Sequence, residues 1–167
     1  LRRQRQMCIR DRNMTTINPT NYTLLKKQAA SLIEDEHHMI AILSNMSALL
    51  NDNLNQINWV GFYLLEQNEL ILGPFQGHPA CVHIPIGKGV CGTAVSERRT
   101  QVVADVHQFE GHIACDANSK SEIVVPIFKD DKIIGVLDID APITDRFDDN
   151  DKEQLEAIVK IIEKQLA

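Results

Sequence analysis

A chain of 167 residues with 44% hydrophobic side chains has the length of one domain and enough apolar material for a substantial core. Its formal net charge of −6 argues against nucleic acid or an anionic membrane as the main partner, and no apolar run approaches the roughly 20 residues that a membrane helix needs. The charge is unevenly placed: Arg2, Arg3, Arg5, Arg10 and Arg12 stand against one acid, Asp11, in the first dozen residues, so the remainder is more acidic than the total.

That opening segment, LRRQRQMCIRDR, lacks the apolar stretch of a secretion signal. MCIRDR resembles translated adapter sequence, and we expect residues 1–13 to be a non-native or disordered extension, with the protein proper starting at Met14 and one domain running from 14 to 167. A natural basic tail or a transit peptide are the alternatives; Asp11 and the lack of serine count against the second. Cys8 lies in this extension and has no assigned role. Cys81, Cys91 and Cys115 remain, an odd number without a signal peptide, which points to reduced thiols in the cytoplasm rather than a disulfide framework.

Thr20 to Gln56 has helical periodicity. Leu25, Ala29 and Leu32 form one stripe, and Met39, Ile42, Leu43, Met46 and Leu50 form a second, with the polar EDEHH (34–38) as a junction between them. His37 and His38 are adjacent and point apart on a helix, so a solvated surface is the expected reading rather than a metal pair.

INWVGFYLLE (57–66) and ELILGPFQG (69–77) are rich in branched and aromatic residues around a turn-prone QNE, a strand hairpin. Trp59 and Tyr63 share a parity and therefore a face. That face is ordinarily core, with an aromatic wall of a ligand pocket as the alternative. In GKGVCG (87–92) the glycines suit a tight turn ahead of a helix opening near Val90 to Val95; the complete phosphate-loop pattern is absent.

TQVVADV (100–106) is a short predicted strand leading into a loop that carries His107, His112 and Cys115. Two further strands are predicted, SEIVVPIFK (121–129) and KIIGVLDID (132–140), joined by a tight turn at Asp130-Asp131. In the second, Ile134, Val136, Asp138 and Asp140 fall on one face by the two-residue period, so an apolar face ends in two like charges roughly 7 Å apart. Such a pair suits a cation, or simply a strand end emerging into water. The chain closes with a helix capped by Asp148 or Asn150, with an apolar stripe of Leu155, Ile158, Val159, Ile162 and Leu166. Together these elements predict an α+β domain, an antiparallel sheet flanked by N- and C-terminal helices, with mid-chain loops covering a small-molecule pocket.

The chemistry centres on GHIACDANSKSEIVVPI (111–127), where Cys115 sits among small and polar residues just ahead of Glu122. A thiolate there can attack an electrophile, and a second thiol can discharge the product as a disulfide. Glu122, Asp138 and Asp140 could hold a cationic group or share a proton with an oxygen gaining charge. An anionic substrate does not suit them. Structural zinc is a rival, with Cys81, His83, Cys91, His107, His112 and Cys115 as donors, but Cys-Val-His is too tight a spacing and no second ligand pair matches it. A papain-like hydrolase lacks its local signature. The residues by themselves lead to thiol chemistry on a small cationic or zwitterionic ligand.

NWVGFYLL, GPFQGHPACVHIPIGKGVCG, DVHQFEGHIACDANSKSEIVVPI and GVLDIDAP, in this order, resemble the free methionine-(R)-sulfoxide reductases, small GAF-domain enzymes, from about Thr20 to the C-terminus. The resemblance implies reduction of free methionine (R)-sulfoxide with no bound cofactor and no metal. It implies that Cys115 is the nucleophile that becomes a sulfenic acid, that Cys81 is the main resolving thiol, and that Cys91 is a secondary or alternative resolver. Thioredoxin would reduce the resulting disulfide. Glu122, Asp138 and Asp140 would bind the substrate amino group and assist the sulfoxide oxygen, while Trp59 and Tyr63 would enclose the S-methyl end. A homodimer is compatible with all of this. The competing class is a non-catalytic GAF sensor, which would bind a small molecule without thiol oxidation.

Overall fold

The computed structural model describes residues 19–113 and 115–166. The expected boundary at Met14, the basic segment and Cys8 lie outside the described residues. Helix α1 (Tyr22–Ile33) is capped by Asn21, whose side chain accepts from the Leu24 amide, and helix α2 (Met39–Asn53) follows after the expected break. On α1 the expected stripe is corrected by one position: Leu32 is 44% exposed while Ile33 is 2% exposed. Over two turns Leu25, Ala29 and Ile33 keep a strict four-residue step and stay on the buried side, and Leu32 rotates past its edge.

Six antiparallel strands form one sheet in the order β3-β2-β1-β6-β5-β4. They are β1 (Trp59–Glu66), β2 (Glu69–Gly77), β3 (His83–Pro85), β4 (Gln101–Val103), β5 (Ser121–Lys129) and β6 (Lys132–Ala141). Helix α3 (Gly89–Glu97) lies between β3 and β4, and helix α4 (Asp149–Leu166) ends the chain. Asp130 and Asp131 both adopt positive φ, 52° and 62°, the geometry of a tight hairpin turn. The predicted strand 100–106 is shorter than expected, because Asp105 accepts from the His107 amide and turns Val106–Gln108 into a single 3-10 turn. No described helix is long and apolar enough to cross a membrane.

The sheet's two faces have separate cores. Val60, Phe62, Ile123, Val125, Leu137 and Ile139 pack under α1, α2 and α4. Their alternate neighbours, Trp59, Tyr63, Val124 and Val136, face α3 and the long loops. Helix α4 begins with a reciprocal cap: the Asp151 amide donates to Asp148 Oδ1 at 2.8 Å, and the Asp148 amide donates to Asp151 Oδ2 at 3.0 Å. Asp151 also accepts from Tyr22 and Arg146, tying the first helix to the last.

One expected parity is corrected. Ile134 does not share a face with Val136; it packs on the three-helix side, and Ile133 joins the other core. The register explains this, since Ile127 pairs with Gly135 and Phe128 with Ile133, which leaves Ile134 as the extra residue of a bulge. Beyond the bulge the expected alternation resumes, and Val136, Asp138 and Asp140 stay together.

Candidate active site

The face of the sheet turned away from the three helices carries a row of side chains set by strand register. Trp59 of β1 lies opposite Asp140 of β6, which lies opposite Glu122 of β5; one step along, Gly61, Asp138 and Val124 form the next row. Side chains at directly opposed positions stand about 4.5–5.5 Å apart at Cβ. Three carboxylates are thus gathered on adjoining strands beside an indole. Gly61 is required here because a Cβ at that position would lie 2.3 Å from Cβ of Phe75. Phe75 in turn stacks on Trp59 at 5.2 Å, and Trp59 stacks on Tyr63 at 5.9 Å, so the aromatic side of the site is one continuous stack.

Helix α3 roofs this row with Val90 and Cys91. Its approach depends on Gly92, where a Cβ would meet the Pro85 carbonyl at 2.4 Å. The enclosed cavity is lined by Trp59, Tyr63, Cys91, Cys115, Glu122, Asp138 and Asp140, which brings seven of the eight sequence-predicted residues together. The eighth, Cys81, lies beside this lining. It is joined to Cys115 as a disulfide, with Cα atoms 5.6 Å apart, and Cys91 is left as a buried free thiol.

The aromatic residues also hold the segment that carries Cys81. Trp59 Nε1 donates to the His78 carbonyl at 3.1 Å, and the Tyr63 hydroxyl donates to the Cys81 carbonyl at 2.9 Å. Of the other donors weighed for zinc, His83 is turned outward and lies 3.1 Å from Glu69.

Burial dominates the electrostatics. Glu122 and Asp138 are 7% and 6% exposed, and one oxygen of each, Glu122 Oε2 and Asp138 Oδ1, has no hydrogen-bond partner. Loss of water pushes Glu122 well above the usual carboxylate range, with the charges of Asp138 and Asp140 adding to the effect. Burial lifts Asp138 to about 7, and lifts Asp140 well above its ordinary value with Asp138 and Asp116 adding. Desolvation, and then Asp138, pushes the Cys91 thiol up as well. The cavity floor therefore retains protons at neutral pH and offers unmet acceptors to a cation.

Sequence reasoning missed the polar rim. Asn58 Nδ2 donates to Asp116 Oδ2 and to Ser119 Oγ, both at 3.1 Å, linking the entry of β1 to the Cys115 loop. Asp116 and Ser119 line the cavity. They lie in GHIACDANSKSE, but nothing in their spacing marks them, because their partner is 58 and 61 positions away.

Residues 29–166 match the GAF domain family. The free methionine-R-sulfoxide reductase of Escherichia coli is 53% identical over 146 residues, covering 87% of this chain and 88% of that protein. The fRMsr of Staphylococcus aureus in its reduced form is 98% identical with a TM-score of 0.90, covering 92% of this chain and 100% of that one. Its complex with substrate is 97% identical with a TM-score of 0.88 over the same coverage.

Proposed function

The chain belongs to the free methionine-R-sulfoxide reductases, enzymes built on a GAF domain, and from that premise we propose how its residues carry out the reaction. The substrate is free methionine (R)-sulfoxide, a zwitterion whose ammonium group the unmet oxygens of Glu122 and Asp138, with Asp140 beside them, can accept. Trp59 and Tyr63 enclose the S-methyl end. The Cys115 thiolate attacks the sulfoxide sulfur, the S–O bond breaks, and oxygen leaves with the cysteine as a sulfenic acid while methionine departs as the thioether. One proton is consumed at the oxygen. A protonated member of the carboxylate cluster supplies it, since burial keeps part of the cluster in the acid form near neutral pH.

The Cys81 thiol then attacks the Cys115 sulfur and expels water, giving the Cys81–Cys115 disulfide, which a thioredoxin dithiol reduces by exchange. Cys91 is the secondary resolver. Its raised pKa leaves little thiolate, which favours Cys81 in the resolving step. A cytoplasmic setting, where reduced thioredoxin is available, fits this cycle.

The observation that carries the proposal is the position of the disulfide: one of its two cysteines, Cys115, lines a cavity that also holds three carboxyls and two aromatic rings. The test is NADPH consumption with thioredoxin and thioredoxin reductase, supplying free methionine (R)-sulfoxide, its (S) epimer, or a peptide containing methionine sulfoxide. Turnover confined to the free (R) form is the expected result. Silence with all three, in a folded protein with reduced thiols, would leave a ligand-binding GAF module instead.

A further inference from the structure

The absence of a zinc site was expected from the spacing of cysteines and histidines, but the fold gathers a different set of donors. Cys91 Sγ, a Glu122 oxygen and an Asp138 oxygen all lie within 4.8 Å of one another, and among the described residues this is the grouping of three donors close enough to share a cation. All three are buried, and one oxygen each of two of them, Glu122 Oε2 and Asp138 Oδ1, the atoms assigned above to the substrate ammonium, has no hydrogen-bond partner inside the cavity. None of the three belongs to the disulfide.

We propose that Cys91, Glu122 and Asp138 form a site for a thiophilic divalent cation, Zn²⁺ in the first instance, and that zinc held there excludes the sulfoxide substrate. The exclusion clause rests on the reading of this cavity as the substrate pocket; the metal site does not.

One thiolate and two carboxylates are a ligand set that zinc accepts, and a hard cation such as Mg²⁺ would reject the sulfur. Donors at Zn–S and Zn–O lengths of about 2.3 and 2.1 Å in a tetrahedron sit about 3.6 Å apart, so the widest pair here closes by about 1 Å, a side-chain adjustment. All three donors line the same cavity, from which water can supply a fourth ligand. The Cys91 proton, and those that burial keeps on the Glu122 and Asp138 carboxyls, are released to solvent as the metal binds. Because Cys81 and Cys115 take no part, the site exists in the disulfide form, whereas the substrate reaction requires the reduced form.

The test uses the full chain with its disulfide intact, so that no other pair of thiols can chelate. Zn²⁺ is titrated by calorimetry, and Co²⁺ is used as an optical probe of thiolate ligation. We expect one site, a thiolate-to-cobalt charge-transfer band, and an apparent zinc affinity that falls as free methionine (R)-sulfoxide is added. Cys91→Ser should abolish the band and weaken zinc at least about tenfold, the scale set by losing even a ligand-supporting group. Glu122→Gln, checked for native circular dichroism, should weaken zinc to a similar degree. Absence of zinc binding, or binding that survives Cys91→Ser unchanged, overturns the site while leaving the reductase reading intact. A Cys91-dependent signal that stays indifferent to the sulfoxide, also in a Cys81→Ser/Cys115→Ser protein in which no disulfide constrains the cavity, upholds the metal site and overturns the exclusion of substrate by zinc.

Discussion

Replacing Tyr63 by phenylalanine keeps the ring that walls the cavity and removes one atom, the hydroxyl that donates to the Cys81 carbonyl at 2.9 Å. A hydrogen bond of this kind contributes about 0.5–1.5 kcal/mol net, and a carbonyl left without its donor adds a desolvation cost of about 1–3 kcal/mol when no water replaces it. Cys81 is only half-buried, so water recovers part of that cost. A loss of about 1–2 kcal/mol for the closed position of the Cys81 segment follows, equivalent to roughly 5- to 30-fold in its population. In the proposed cycle the Cys115 attack precedes closure and does not use this contact. In single-turnover experiments on reduced protein, Tyr63→Phe should release the first methionine at the wild-type rate and form the Cys81–Cys115 disulfide several-fold more slowly, followed by quenched thiol alkylation and mass analysis. Wild-type kinetics for both steps would refute the reasoning, because the hydroxyl would then hold the segment equally well before and after reaction. An equal loss in both steps would refute it differently, by making the hydroxyl part of the substrate contact.

Cys115→Ser should abolish methionine release altogether, whereas Cys81→Ser should release about one methionine per chain and stall; a full burst from Cys115→Ser would remove it as nucleophile. The raised carboxylates give the ligand-free protein a pH signature. Folded Glu122, Asp138 and Asp140 hold protons that the unfolded chain gives up near pH 4, so their contribution is fully present below about pH 4 and is lost as pH rises through about 7 for Asp138. The Tm of wild type minus that of Asp138→Asn should therefore fall across this window, and a difference that rises would contradict the assignment of burial as the cause. Gly92→Ala places a methyl against the Pro85 carbonyl and should cost about 1–3 kcal/mol in urea unfolding; a neutral result would mean that α3 can lift without penalty.

The local parts of the fold were open to reading from the chain because they rest on near-neighbour chemistry. The α1–α2 break at EDEHH, the Asp130-Asp131 turn and the Asp148 cap each depend on residues within a few positions. Asp138 and Asp140 were placed on one face for the same reason, since period-two alternation holds along any strand without a bulge, whereas their pairing with Glu122 needed the register. It failed at Ile134, where the bulge inserts a residue and no local signal announces it. Strand β3 also escaped notice, because three residues carry no period and His83–Pro85 is a strand only through pairing with Glu69–Ile71. At the site, the residue types and motifs of the cysteines and carboxylates were informative, but the asparagine bridge to Asp116 and Ser119 and the grip of Trp59 and Tyr63 on residues 78–81 arise from tertiary contact alone.

The row Trp59–Asp140–Glu122 has a consequence for the order in which the chain can acquire its chemistry. β6 is the last strand made, and it joins the two halves of the sheet, pairing with β1 about 80 positions earlier and with β5 across the hairpin. A growing chain that has reached Lys129 already carries Cys81, Cys91, Cys115 and Glu122 but neither Asp138 nor Asp140, and it has no strand to join its two halves. The pocket is thus completed only when β6 joins the sheet, and selectivity for its ligand is a property that no fragment lacking β6 can possess.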